Sequence, residues 1–265
     1  TQGFNWLDEG DFAGEVTDPE LAWRRPFDWK HIEEYTVERR RGDTGEPFVR
    51  EVRETLADGG HQLIIGPPGS GKTTACKQIA AEWYDGDETG PVLYRESGGT
   101  GSPVNPTELA EAVETATDLG ETLVVVEDAV RQDSLDIFRF AASVEDRDDV
   151  SLLVDAREHE WDAADDRITD SGHGTGVQRL TSEYRRLVDR TRVPYLSVDA
   201  VESLFETFVE KTDVDPTLLP DPQRVFERLV TVESRKEQRE AEAEQTESGD
   251  ADSDGAAATA ESGGV

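Results

Sequence analysis

The sequence contains one cysteine, no methionine and no long run of apolar residues. A single thiol, Cys76, excludes an intrachain disulfide and fits a reducing compartment. With neither a long apolar run nor a signal-peptide pattern, the sequence predicts no membrane span and a cytoplasmic location. The chain begins at Thr1, which is compatible with removal of an initiator methionine or with a fragment of a larger protein.

Basic residues are scarce as well. The chain has 27 Lys and Arg against 60 Asp and Glu, a formal net charge of -33, and only five of its basic residues are lysine. Such a surface repels itself at low ionic strength, and salt screens that repulsion. This dispersed acid resembles the proteins of salt-loving archaea; an ordinary acidic protein with an acidic tail is the alternative. Nucleic acid is an unexpected partner because phosphate binding needs clustered Lys and Arg.

The sequence also lacks the pattern of a metal site built from protein groups alone. It has four histidines, without the spacing of metal ligands, and one cysteine does not complete a zinc site; the histidines are His31, His61, His159 and His173. We therefore interpret these side chains as surface or packing groups.

One glycine-rich stretch dominates what the sequence does contain. Residues 66–73 read Gly-Pro-Pro-Gly-Ser-Gly-Lys-Thr, between the apolar run at 62–65 and a helical pattern that starts with Thr74. Strand, glycine-rich loop and helix are the context that makes G-x-x-x-x-G-K-[ST] a phosphate-binding loop. Its glycines turn backbone N–H groups toward one point at a helix N-terminus. We predict that Lys72 contacts the β- and γ-phosphates and that the Thr73 hydroxyl binds Mg²⁺.

The nucleotide is predicted to lie along this whole loop and the first residues of the helix. The residues predicted to bind it are Gly66, Pro67, Pro68, Gly69, Ser70, Gly71, Lys72, Thr73 and Thr74.

The remaining pattern predicts an α/β fold. Strands are expected at 61–65, 91–95, 123–126, 150–154 and 193–196, with helices between them, one of them at about 133–144. Such alternation implies a mostly parallel five-stranded sheet covered by helices on both faces. Together with the phosphate loop it predicts a three-layer P-loop NTPase sandwich, with a small C-terminal helical segment. The predicted organisation is an N-terminal extension (1–30), the NTPase domain (31–212), a partial helical lid (213–232) and a disordered acidic tail (233–265).

Two acids follow the third predicted strand. Glu127 and Asp128 come directly after the apolar run 123–126, where nucleotide hydrolysis needs a carboxylate for the Mg²⁺ shell and a group that positions water. Many P-loop enzymes have Asp first and Glu second, and this chain has the reverse. We predict that Glu127 binds Mg²⁺, through water, and that Asp128 positions the attacking water. Two acids that merely follow a strand in an acid-rich protein are the alternative.

A strand and a helix intervene between the phosphate loop and these acids. This spacing predicts an additional strand, as in the ATPase (ASCE) branch of P-loop folds, and places strand 150–154 between the strands that carry the loop and the acids. Its end, Asp155-Ala156-Arg157, then points toward the γ-phosphate. Arg157 either contacts that phosphate or is a surface arginine paired with Glu158 or Asp162.

In order, four segments resemble the STAND class of signal-transduction ATPases, an AAA+/NB-ARC-like NTPase module. The first is Tyr35-Thr36-Val37-Glu38-Arg39, and the second is the phosphate loop together with 123–129. The segment 151–161 resembles the sensor strand of that class, which is followed by an Arg. The segment 195–205 resembles the helix after its last sheet strand. The resemblance covers about 30–230. The reversed acids and the missing winged helix or repeat array depart from the class.

The resemblance implies an ATP/ADP switch with Mg²⁺ as cofactor. In it the segment ending at Arg39 cradles adenine and Arg157 is the sensor. The expected partners are the nucleotide and either a second copy of this chain or an effector or sensor region outside it. No membrane partner is expected. A regulatory module that binds nucleotide without hydrolysis and a DNA-linked AAA+ ATPase are the alternatives. The candidate catalytic residues are Lys72, Glu127, Asp128 and Arg157.

Overall fold

A computed structural model describes residues 3–14, 27–42, 44–86, 90–98, 102–162, 185–212 and 215–228. The chain divides into two compact units, Thr1–Asp215 and Pro216–Val265. The predicted acidic tail, 233–265, lies outside the described residues. Within the described ranges, no helix is both long enough and apolar enough to cross a bilayer.

The first unit is built around a six-stranded sheet. Its strands are β1 (Asn5–Trp6), β2 (His61–Gly66), β3 (Val92–Arg95), β4 (Thr122–Val126), β5 (Val150–Arg157) and β6 (Asp189–Arg192). Their spatial order is β1-β3-β4-β5-β2-β6. Five strands are parallel, and β1 pairs antiparallel with β3. The mixed α/β class with a mostly parallel sheet is confirmed.

Helices cover both faces of this sheet. They are α1 (Glu9–Phe12), α2 (Trp29–Tyr35), α3 (Phe48–Ala57), α4 (Lys72–Tyr84), α5 (Pro106–Ala116), α6 (Ile137–Ser143) and α7 (Val198–Lys211). Residues 158–162 are also helical, and short 3-10 turns occur at Thr117–Leu119 and Arg185–Leu187.

Two hydrophobic cores lie on opposite faces of the sheet, and β5 contributes to both. Leu152 and Val154 belong to the core that contains residues of α5 and α6, whereas Leu153 belongs to the core that contains residues of α3 and α4. Successive side chains of a strand point to opposite faces, so a strand between two helical layers is expected to be apolar on both faces along most of its length. This is why the continuous apolar runs in the sequence identify the central strands.

The order of the three central strands determines where the candidate residues lie. Strand β5 pairs with β4 on one side and with β2 on the other, as the spacing predicts. The phosphate loop follows β2 and the acids follow β4, so their strands are two positions apart, roughly 10 Å at the usual interstrand spacing. The carboxyl end of β5 lies between them.

Three elements differ from the sequence prediction. The sheet has one more strand than predicted, because β1 pairs with β3 although the N-terminal region has no periodic pattern. The last strand is Asp189–Arg192 instead of 193–196: it is a polar edge strand defined by backbone pairing with β2, which an apolar search does not detect. The helix predicted at 133–144 is only Ile137–Ser143, preceded by turns.

The second unit is described only over 216–228. It contains a 3-10 turn at Pro216–Leu218 and helical residues 222–228. The helix begins at Pro222, a residue that suits the first turn of a helix because its missing N–H has no intrahelical acceptor there.

Candidate functional site

The phosphate loop forms the turn between β2 and α4. Gly69 and Gly71 have φ of 79° and 82°, the left-handed conformation that favours glycine. Gly71 is the N-cap of α4, so the first amides of that helix have no intrahelical acceptor. Among the described residues, none accepts a hydrogen bond from the amides of Lys72 or Thr73. The loop therefore presents backbone donors at the positive end of a helix dipole.

Pro67 and Pro68 form the outer part of this loop. Pro67 is half-buried and its carbonyl oxygen accepts the amide of Ser70 at 3.2 Å, whereas Pro68 is exposed at the tip of the turn. Neither proline has a backbone N–H to donate. The prediction that Pro67 and Pro68 are among the nucleotide-binding residues stays a prediction; any contact they make with a nucleotide is through carbonyl oxygens or ring atoms and not through a backbone donor.

The polar side chains of the loop are less exposed than its tip. Ser70, Thr73 and Thr74 are half-buried. Within the described part of the chain, the Ser70 hydroxyl is buried without a hydrogen-bond partner. A phosphate oxygen is an acceptor that such a hydroxyl can satisfy, so this orphaned group fits an anion in the loop.

Lys72 folds back over this loop. Its Nζ donates to the carbonyl oxygens of Gly66 and Pro67, at 3.2 Å each, and only 8% of the residue is exposed. Both acceptors are neutral, so the ammonium has no carboxylate partner in these contacts. A buried cation held by loop carbonyls can exchange them for the stronger acceptors of a phosphate.

Arg39 packs against the outer side of the same loop. Its Nη1 donates to the carbonyl oxygen of Ser70 at 2.6 Å and to that of Pro194 at 3.1 Å. Desolvation lowers the pKa of this guanidinium to about 10, which leaves it charged at neutral pH. Arg39 thus joins the phosphate loop to the segment that follows β6 and enters α7.

Glu127 follows β4 and is held by two donors. The Tyr94 hydroxyl donates to Oε1 at 2.6 Å and the Ser97 amide donates to Oε2 at 2.8 Å. The residue is 5% exposed. Burial raises the pKa of its carboxyl, and the two hydrogen bonds oppose that rise. Both oxygens of Glu127 are engaged on the side of β3.

Asp128 has an unusual backbone. Its φ is 49°, and it is the one non-glycine residue with a positive φ in the described part of the chain. The Ser97 hydroxyl donates to its Oδ2, while its amide donates to Oδ1 of Asp155 at 2.8 Å. Ser97 therefore contacts both acids of the predicted pair.

Asp155 is the functional candidate that the sequence analysis did not select. It lies near the end of β5, between the loop strand and the acid strand, and is 1% exposed. Cys76 of α4 approaches its Oδ2 at 3.9 Å. Burial raises the pKa of Asp155 to about 7, Glu127 and Asp128 add to that rise, and the Asp128 amide and Lys72 oppose it. The sequence feature that could have identified Asp155 is a single acid directly after the apolar residues of a predicted buried strand.

Cys76 itself is fully buried. Burial and the neighbouring Asp155 carboxyl raise the pKa of its thiol well above the usual value. A buried, protonated thiol is inert, which agrees with a packing role.

Arg157 is placed apart from these groups. It is paired in register with Gly66, and its Nη1 contacts Glu160 at 3.2 Å. Its side chain is 45% exposed. The acids named as alternative partners, Glu158 and Asp162, instead contact Arg190.

The donor set fits a Mg²⁺ ion only in part. Thr73 is half-buried in the first turn of α4, and Glu127 is the acid predicted to bind the metal. Across the described ranges, no group of three His, Cys, Asp or Glu side chains is arranged to hold a metal. Mg²⁺ is commonly held by one or two protein groups together with phosphate oxygens and water, so this sparse set matches a metal that arrives with a nucleotide.

Comparison with solved structures gives weak similarities. They include the closed state of Hsp104 with ATPγS and FITC casein, at 13% identity over 62% of this chain and 29% of that chain, with a TM-score of 0.44. The extended S. cerevisiae Hsp104:casein complex matches at 13% identity over 69% and 32%, with a TM-score of 0.44. The E. coli MS115-1 HORMA:CdnC:Trip13 complex matches at 13% identity over 63% and 59%, with a TM-score of 0.39.

The chain spans about a third of the length of the two Hsp104 chains it matches. None of the curated proteins shows significant similarity. A family model does match: Novel STAND NTPase 5 aligns with residues 25–169, more than half of the chain, from before α2 to beyond β5. That span contains the phosphate loop, Lys72, both acids and Asp155, and the chain belongs to the novel STAND NTPase 5 family.

Proposed function

We propose that the chain binds ATP with Mg²⁺ at residues 66–74 and hydrolyses it. The observation that carries this proposal is the position of Lys72, a buried ammonium held by two loop carbonyls, beside the first amides of a helix N-terminus. Together these groups match the charge and geometry of a triphosphate.

Each residue has a proposed role. Lys72 and the loop amides stabilise negative charge on the transferring phosphoryl group. Thr73 and Glu127 hold Mg²⁺, which neutralises phosphate charge when bound. Asp128 orients the attacking water. Arg157 lies one strand from the loop, exposed enough to reach a γ-phosphate if it leaves Glu160.

We infer that hydrolysis drives a conformational switch of the STAND kind. Arg39 supports this inference, because it connects the phosphate loop to the carbonyl of Pro194, three residues before the Ser197 N-cap of α7. A change in the loop on nucleotide binding alters one end of this link, and α7 is the helix that responds.

A nucleotide-binding module without turnover is the second candidate. The observation that favours it is the engagement of both acids: Glu127 accepts from Tyr94 and Ser97, and Asp128 accepts from Ser97. Hydrolysis requires at least one of these carboxylates to face the nucleotide instead. If the two acids keep these partners with ATP bound, the protein binds and does not turn over.

The acid surface bears on the conditions of any assay. With a net charge of -33, we infer that the protein works at high salt, as proteins of salt-loving archaea do. Screening of this self-repulsion raises the thermal midpoint with KCl, and a midpoint independent of KCl contradicts the inference.

Phosphate release from ATP and GTP at high salt tests the proposal. We expect Mg²⁺-dependent release that Lys72→Ala and Asp128→Asn each abolish. Lys211→Ala is the matched control, because Lys211 forms an exposed ion pair with Glu34 and should not change turnover. Ligand-dependent thermal stabilisation without phosphate release supports the binding module. Equal hydrolysis by the parent and Lys72→Ala contradicts the proposal.

A further inference from the structure

Asp155 lies at the centre of the carboxyl edge of the sheet. Its neighbour in register on β2 is Ile64, and β4 lies on its other side. It is 1% exposed, in a strand whose other buried residues are mostly apolar. None of the roles assigned to the nucleotide site uses this carboxyl.

Asp155 binds the turn after β4 through two of its atoms. Its Oδ1 accepts the amide of Asp128 at 2.8 Å, and its backbone carbonyl accepts the amide of Ala129, also at 2.8 Å. One residue of β5 therefore holds two successive amides that follow Glu127. On the other side, the Cys76 thiol of α4 reaches its Oδ2 at 3.9 Å.

The turn that it holds is strained. Asp128 has a φ of 49°, a left-handed conformation that costs a non-glycine residue free energy and persists only where surrounding contacts fix it. The conformation decides where the Asp128 side chain points. Of the contacts that fix it, Ser97 binds the carboxylate, and Asp155 binds the backbone amides before and after the Asp128 Cα.

We propose that Asp155 is a positioning residue that fixes the strained turn at Asp128 and thereby holds the backbone that carries the Glu127 and Asp128 carboxylates beside the nucleotide site. This rests on the proposed ATPase function. In this role Asp155 acts as a hydrogen-bond acceptor and does not contact the nucleotide. Turnover therefore depends on its Oδ1 and not on its negative charge.

A contribution to stability does not account for this acid. A carboxyl removed from water in an apolar strand is unfavourable for folding, and a buried apolar side chain of the same size is normally better. Replacement by leucine removes this cost but leaves the Asp128 amide without its acceptor, so urea unfolding of each variant accompanies the measurement of turnover. A loss of turnover in a stably folded variant then points to the turn.

Three variants of the full chain separate the possibilities. Asp155→Asn keeps an oxygen that accepts the Asp128 amide and removes the charge. Asp155→Leu removes the acceptor and fills the space. Ser151→Ala is the matched control: Ser151 is buried on the same strand and donates to the carbonyl of Leu56 at 2.6 Å, at the end of β5 far from the acids. The readouts are kcat, KM for MgATP, and hydrogen exchange of the residue 128 amide by NMR.

We expect Asp155→Asn and Ser151→Ala to keep kcat within about threefold of the parent, because each retains the held turn. Asp155→Leu should lower kcat roughly 10- to 100-fold, the effect of leaving a buried donor without its acceptor, with KM changed less than about threefold. The residue 128 amide should exchange slowly in the parent, Asp155→Asn and Ser151→Ala, and quickly in Asp155→Leu.

Two results overturn the proposal. If Asp155→Leu keeps both kcat and slow exchange of the residue 128 amide, Asp155 does not hold the turn. If Asp155→Asn loses kcat as Asp155→Leu does while its amide stays protected, the charge of the carboxylate is what matters. If the parent shows no phosphate release, the proposed ATPase function fails, and amide exchange alone still decides whether Asp155 holds the turn.

Discussion

The Arg39 guanidinium lies 2.6 Å from the carbonyl oxygen of Ser70, inside the phosphate-binding motif, although 31 residues separate the two in sequence. The same Nη1 also reaches Pro194. This arginine was expected to mark the end of a segment that cradles adenine. Its contacts add a structural role: it supports the phosphate loop from outside and links it to the chain beyond β6.

Removing this support should destabilise the domain. Arg39→Ala leaves the carbonyls of Ser70 and Pro194 without their donor, and we expect the free energy of unfolding to fall by about 1–3 kcal/mol. Arg40→Ala is the control, since Arg40 is exposed and contacts only Glu38 and Gly45 among the bonds described; its effect should stay within about 0.5 kcal/mol. Urea unfolding at high salt measures both, and equal effects contradict this role of Arg39.

The Arg39 guanidinium also lies close against Gly71. A Cβ added at Gly71, where φ is 82°, clashes with Nη2 of Arg39. Gly69 has a similar φ of 79° with open space around it. Gly71→Ala should therefore lower the thermal midpoint more than Gly69→Ala, because only the first displaces the guanidinium in addition to straining the backbone. Equal midpoints for the two variants contradict the close approach of Arg39.

The pKa of Asp155 predicts how stability depends on pH. Burial raises it from 3.8 to about 7, so the folded state binds this proton more tightly than the unfolded state. The parent therefore loses stability relative to Asp155→Asn as pH rises from about 4 to about 7, by roughly 4 kcal/mol if the full shift is expressed, and the difference is constant above that range. Urea unfolding of both proteins without nucleotide, across this range, measures it; a difference independent of pH contradicts a raised pKa.

Tyr94→Phe tests the environment of Glu127. The hydroxyl donates to the carboxylate, so its removal should raise the pKa of Glu127 above its already raised value. We expect the acid limb of the pH–rate profile to move up by about one pH unit. Tyr84→Phe is the control, because it keeps the ring stacked on Phe12 and lies outside this site. An unchanged acid limb in Tyr94→Phe means that Glu127 does not limit turnover.

The sequence was most informative where local chemistry determines structure. Backbone geometry alone accounts for the loop 66–73, and burial on two faces accounts for the apolar runs 123–126 and 150–154. The predicted position of β5 between β4 and β2 is confirmed. Family membership agrees with the resemblance drawn from these segments.

Sequence reasoning did not reach features that depend on pairing between distant segments. The edge strands β1 and β6 form because a neighbouring strand offers backbone partners, whatever their side chains. The buried position of Asp155 requires the strand order, and the contact of Arg39 with Ser70 requires the path of a loop. Whether the acids 127 and 128 carry the roles proposed for them remains a prediction that mutation must test.

A motif also does not tell how deeply each of its residues is buried. Within residues 66–73, Pro68 is exposed and Lys72 is buried, although the motif gives both positions alike. The difference arises from the path of the backbone through Gly69 and Gly71, which the spacing of the motif does not specify.

Equilibrium binding of MgATP at high salt, measured by calorimetry on the parent, Lys72→Ala and Lys211→Ala, tests the central claim most directly. If the phosphate loop holds the triphosphate, the parent and Lys211→Ala bind one nucleotide per chain with the same affinity, and Lys72→Ala weakens binding by roughly tenfold or more, the loss of at least one charge-assisted contact. Equal affinity for all three proteins would place the nucleotide elsewhere and contradict the account.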